Sequence, residues 1–161
     1  MEQLLKQIEE WNKASEFSRA IAAIEAIPEE ERGFLLTLWL GRLYGNLAVL
    51  GDYDQREWED SRGRSRRQMP NYRLIQKSFQ IFRSIQEEGE KDPTWNSRIA
   101  YSLWAMEEGQ QALAYARRWL ELAPDDPDAQ ELVSEIEGFL WDQEEDDTRR
   151  KDNAKWKDDN G

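Results

Sequence analysis

Two Asp-Pro pairs, Asp92-Pro93 and Asp126-Pro127, stand 34 residues apart, and each opens a stretch of helical apolar spacing. An aspartate accepts hydrogen bonds from the orphan amides of a first helical turn. Proline costs little at the first helical position, where its missing N–H has no partner to lose. Each pair is therefore a helix start, and the recurrence marks a repeating unit. One unit holds "PTWNSRIAYSLWAM" and then "GQQALAYARRWLELAP", two helix-length runs. A lone hairpin cannot cover its own apolar face, so such units have to stack.

The rest of the chain agrees with helices, and no alternating strand pattern stands out. The spacing predicts a helix over Glu2–Trp11 with Leu4, Leu5, Ile8 and Trp11 on one face. A second spans Ser15–Ile27 and ends at Pro28, and a third covers Glu31–Leu50 and stops at Gly51. A fourth, Tyr72–Glu88, is amphipathic through Leu74, Ile75, Ser78, Phe79, Phe82 and Ile85. The last begins at Pro127 and caps the fold to about Trp141. After it, "DQEEDDTRRKDNAKWKDDNG" is too polar to fold alone. It either continues the helix with its charges outward or is a mobile tail.

The unit beginning at Pro93 resembles a tetratricopeptide repeat, with Ile99, Ala100 and Leu103 in its first helix, Ala112 in its second, and "ELAPDD" at its close. The family often carries a glycine between the two helices, and Gly109 lies near that place. Trp119 stands where a small residue is usual. Leu40, Gly41 and Tyr44 match the first helix of an earlier unit, but Gly41 and Ala100 are 59 residues apart. The excess falls in an insertion at about 52–70, between the two helices of that unit. Ala20 marks a degenerate N-terminal unit. The resemblance implies an all-α fold: antiparallel hairpins stacked as a right-handed α-solenoid with a C-terminal capping helix. It divides the chain into one domain, 1–143, and a charged tail, 144–161.

Composition narrows the function. The chain has neither cysteine nor histidine, which removes disulfides, thiolate zinc sites, cysteine nucleophiles and the usual general base. No phosphate loop, nucleophile elbow or metal-ligand cluster is present. Glu29-Glu30 and Asp125-Asp126 sit beside prolines at helix starts, where acids complement the helix dipole. These readings predict no enzyme, no catalytic residue, no metal and no cofactor. A net charge of −12 argues against a general nucleic-acid binder and would steer a basic partner inward. The opening "MEQLLKQIEEWNK" lacks a secretory pattern, and no run of about 20 apolar residues appears, which predicts a cytoplasmic protein without a membrane partner.

Partner-binding candidates follow from helix faces. Opposite the stripe of Trp95, Ile99, Leu103 and Met106 lie Ser97, Arg98, Tyr101, Trp104 and Ala105. The preceding first helix turns Leu35, Leu38, Arg42, Asn46 and Val49 the same way, unless the N-terminal helix covers its leucines and valine. Arg42, Asn46, Arg98, Tyr101 and Trp104 form the expected site: cations for carboxylates, aromatic platforms for apolar groups. Some tetratricopeptide proteins clamp a peptide's terminal carboxylate with basic and Asn side chains in this groove. The competing expectation packs Tyr101 and Trp104 against neighbouring helices or the tail.

A second candidate is the basic segment "SRGRSRRQMPNYR" at 61–73, with Arg62, Arg64, Arg66, Arg67 and Arg73 and no acid. A solvated or self-paired loop comes first for it, a protein contact second and nucleic acid last. The chain also resembles small bacterial single-domain tetratricopeptide proteins, some of which are immunity partners of secreted toxins. That resemblance implies stoichiometric capture of another protein or peptide, such as a basic toxin domain. The alternative is an RNA-binding protein or regulatory adaptor that uses 61–73.

Overall fold

Both Asp-Pro pairs act as helix starts. In the computed structural model, which describes residues 1–51, 58–59, 65–66 and 71–160, Asp92 Oδ1 accepts the Trp95 backbone N–H at 2.9 Å. Asp126 Oδ1 accepts that of Asp128 at 3.0 Å. The order is α1 (Glu2–Lys13), α2 (Phe17–Glu25), a 3₁₀ turn (Glu29–Glu31), α3 (Gly33–Asn46) and a π-helical turn (Leu47–Gly51). A two-residue antiparallel pairing of β1 (Trp58–Glu59) with β2 (Ser65–Arg66) follows. Then come α4 (Tyr72–Ser84), α5 (Gln86–Gly89), α6 (Pro93–Ala105), α7 (Gly109–Leu122) and α8 (Pro127–Asn160). The described protein is helical apart from that short pairing.

Each helix packs chiefly on its neighbours in sequence: α1 on α2, α2 on α3, α3 on α4, α6 on α7, α7 on α8. The α6–α7 pair is the most extensive, and α3 and α4 both touch α6. Two apolar clusters result. Ile8, Phe17, Ile21, Ile24, Leu36, Leu40 and Leu43 fill the N-terminal one. Phe82, Trp95, Ile99, Leu103, Trp119, Leu132 and Ile136 fill the other. Helix α3 serves both, because Leu38 faces the second while Leu36, Leu40 and Leu43 face the first. Its central place explains its apolar character. Gly33–Gly51 is long and apolar enough to cross a membrane by length and composition, yet α2, α4 and α6 pack around it.

The turns of the α1–α2 and α6–α7 hairpins share one geometry that the sequence hides. Glu16 N–H bonds the Trp11 carbonyl at 2.8 Å, and Glu108 N–H bonds that of Leu103 at 2.9 Å. Ser15 and Glu107 take the left-handed conformation, with φ of 59° and 64°. These are the same helix C-terminal cap. The expected glycine of the turn is therefore not Gly109: the left-handed position falls on Glu107, and Gly109 opens α7 beneath Leu140 and Trp104.

Other boundaries moved for identifiable reasons. Ile85, at φ −120° and ψ 24°, ends α4 before the short α5, so the predicted Tyr72–Glu88 helix is two. Trp95 Nε1 donates to the carbonyl of Phe82 at 2.9 Å and fastens that break to α6. The last helix runs past Trp141 to Asn160 with its charges outward, the first of the two expectations for the tail.

Ala100 and Ala112 are fully buried within the α6–α7 pair. Ala100→Leu and Ala112→Leu should each overpack it by about 1–3 kcal/mol. Thermal denaturation checks this, and unchanged melting temperatures would refute the pairing.

Candidate functional site: an arginine-lined cleft between α3 and α6

Sequence spacing brings the site together one turn at a time. Gly45 and Asn46 stand three and four residues after Arg42 on α3, and Val49 three after Asn46 on its π-helical turn. Arg98, Tyr101, Ser102 and Ala105 repeat that spacing on α6. Glycine, serine and alanine leave room between these helices, and a cleft of about 310 Å³ opens there. All five expected binding residues, Arg42, Asn46, Arg98, Tyr101 and Trp104, line it. Phe82 of α4 lines it as well, while Val49 and Leu50, both exposed, stand on its wall. The sequence reading missed Gly45, Leu50, Phe82 and Ser102. Gly45 and Ser102 lie one turn after Arg42 and Arg98, a signal that was available.

Three of the expected groove residues, Ser97, Leu38 and Leu35, do not line the cleft. Ser97 is buried and donates to the Thr94 carbonyl at 2.7 Å, and Leu38 belongs to the core. Leu35 is 54 % exposed, so the N-terminal helix does not cover it. The packing expectation for the aromatics holds alongside the cleft. Tyr101 meets the Trp119 ring edge-on at 5.7 Å, and Trp104 meets that of Phe139 at 5.3 Å. Both present their remaining surface to the cleft on rigid supports. Asn46 is tethered too, its Nδ2 donating to Asn12 Oδ1 of α1 at 2.8 Å.

The arginines are different, because among the described residues no carboxylate pairs with either. The buried Nε atoms of Arg42 and Arg98 have no hydrogen-bond partner. Burial lowers the Arg42 pKa to about 10, with repulsion from Arg98 adding to it and Glu9 opposing. Glu9 itself pairs with Lys13 at 3.6 Å. Arg98 is lowered by burial, with Tyr101 opposing. The Arg42 guanidinium lies 4.0 Å from the Trp39 ring centroid, a contact that orients it without neutralising it.

Other depressions carry both signs of charge. One of about 330 Å³ between α4, α6 and α7 has Arg83 and Glu108. Another of about 490 Å³ beside the 3₁₀ turn has Glu29, Glu30, Glu88, Arg32 and Lys77. Among the described residues, the α3–α6 cleft has two arginines and no acid on its walls. In a chain of net charge −12, that local reversal is the feature to explain.

The insertion leaves from the rim of this cleft, at Leu50 and Gly51. Its base is closed by Asn71 N–H, which bonds the Ala48 carbonyl at 2.9 Å. Arg62, Arg64 and Arg67 lie outside the described residues, and Arg66 is described only as backbone in β2. Arg73 is exposed on the first turn of α4 and does not line the cleft. Away from the cleft, the Tyr44 hydroxyl donates to Glu25. Burial first, then that bond, pushes its pKa up to about 12, which ties α3 to α2 rather than forming a reactive centre.

Among the described residues, no group of acidic side chains is arranged to hold a metal ion. Chemically, the cleft offers two guanidinium donors for an anion, an amide, and aromatic and aliphatic walls. No family model matches this chain, and neither a curated protein nor a solved structure does.

Proposed function

We propose that this chain is a non-enzymatic binding module of tetratricopeptide-like, right-handed solenoid architecture. It acts by stoichiometric capture of another protein's carboxylate-bearing segment in the α3–α6 cleft. The observation that carries the reading is the pair of part-buried arginines that have no carboxylate partner among the described residues. Holding two like charges together out of water is costly, and an anion bound between them offsets that cost. Neighbour-to-neighbour packing, the 34-residue recurrence and the repeated turn support the architecture. Its acidity and small size support an immunity role, in which the acidic exterior steers a basic toxin domain and the cleft grips one of its carboxylates.

The test is a fluorescein-labelled peptide of alternating glutamate and leucine with a free terminal carboxylate, followed by anisotropy. It should bind the wild type and bind Arg98→Gln at least about tenfold more weakly. A lysine-for-glutamate version with an amidated end should not bind. Equal binding of both peptides, or of both proteins, would overturn the reading.

A further inference from the structure

Leu140 is the last residue of α8 packed against the body, on the helix bearing Gly109. Beyond it the helix runs on through Asn160 with every residue exposed, an arm of about 30 Å at 1.5 Å per residue. Trp141 and Trp156 on this arm are 63 % and 66 % exposed. Large aromatic side chains left bare on a polar helix are unused contact area. Trp141, Glu144, Glu145, Thr148 and Arg149 border one shallow depression at helical spacing. The face is an aromatic anchor followed by two carboxylates, with Arg149 at its far end. Among the described residues, neither glutamate is in an ion pair.

The α3–α6 cleft is the complement of that face, with Arg42 and Arg98 unpaired beside Tyr101 and Trp104. We infer that the arm of one molecule docks its Trp141–Glu144–Glu145 face in the cleft of a second copy. Reciprocal docking makes a two-fold, arm-exchanged dimer. The inference rests on reading the cleft as a carboxylate site and names an occupant for it. The molecule's own arm is not that occupant. Phe139, at its base, meets Trp104 on the cleft wall, but α8 is unbroken from a stem packed on α7, so turning the arm back into the cleft would break the helix. Reciprocal exchange satisfies both arms and both clefts and closes the assembly at two copies. An apolar anchor with flanking charges at i+3 and i+4 is how a helix is read in a groove.

Sedimentation equilibrium of the full chain tests this. The wild type should approach twice its 19.1 kDa with rising concentration. Trp141→Ala, and Glu144→Lys with Glu145→Lys, change only exposed residues and should each raise the dissociation constant at least about tenfold. Arg98→Glu should do the same from the cleft side. Mixing Arg98→Glu with the double lysine variant should restore a dimer, because an unchanged arm then meets an unchanged cleft and the lysine arm meets the carboxylate introduced by Arg98→Glu. A wild type that stays monomeric, a dimer indifferent to the arm variants, or a mass that climbs past two copies would each overturn the exchange. If the monomeric wild type still binds the free-carboxylate peptide, only the exchange fails. If the dimer answers to charge reversal and the peptide does not bind, only the capture of a foreign segment fails. Release of monomer by the peptide supports both.

Discussion

Gly41→Ala should lower the melting temperature sharply. A Cβ at Gly41 would stand 2.7 Å from Cδ1 and 2.8 Å from Cζ of Phe82. Phe82 is 1 % exposed, so its ring can shift only by disturbing the core or intruding on the cleft that it lines. The Gly41 carbonyl also accepts the buried Ser78 hydroxyl at 2.7 Å, which fixes α4 against α3 at this height. Separating these helices would strain that bond as well as the core. Overpacking at the upper end of its usual range, about 3 kcal/mol, lowers Tm by roughly 6–12 °C for a domain of this size. The comparison lies within the same protein. Gly138, on an exposed part of α8, has nothing within 4 Å of an added Cβ. Gly138→Ala should stabilise by about 1 kcal/mol from helix propensity alone. Differential scanning calorimetry of the two variants decides the matter, and equal shifts in one direction would show that Gly41 is not a packing contact.

The residues that announced the fold are those whose chemistry acts locally. Asp92-Pro93 and Asp126-Pro127 cap helices whatever surrounds them, so their spacing gave the hairpin period before any tertiary contact was known. Helix spacing alone also brought Arg42, Asn46, Arg98, Tyr101 and Trp104 to one cleft, because facing residues on two packed helices need only the right periodicity. What stayed hidden depends on tertiary detail. Glu107 adopts the left-handed conformation in a turn where the sequence pointed to Gly109, because the repeated cap geometry holds it there. Ser97 was expected on the groove face, yet the carbonyl of Thr94 takes its hydroxyl inward. Phe82 entered the cleft from α4, a helix that the sequence reading did not place at the groove. The extension of α8 to Asn160 could not be read from apolar periodicity, since those residues bury nothing.

Arg98→Met should make the free protein more stable and remove its anion binding together, a result that a structural arginine would not give. Methionine has a comparable unbranched stem and fills the same space without charge. The substitution removes a guanidinium whose Nε is buried without a partner, and with it the repulsion that helps to lower the Arg42 pKa. Replacing poorly compensated buried charge by an apolar group is often stabilising by about 1–4 kcal/mol. The cleft opens to solvent, which screens the charges and argues for the lower end, about 1–2 kcal/mol. That corresponds to roughly 2–8 °C in Tm. A dianion such as sulfate sharpens the comparison, since a ligand that binds only the folded state raises its melting temperature. Sulfate should raise the wild-type Tm beyond what an equal ionic strength of chloride does, and should give Arg98→Met no such excess. A lower melting temperature in Arg98→Met with sulfate stabilisation unchanged would mean that Arg98 is part of the packing and that the anion site lies elsewhere. A higher one with the excess abolished means that the fold carries this charge at a cost, and that a bound anion offsets it.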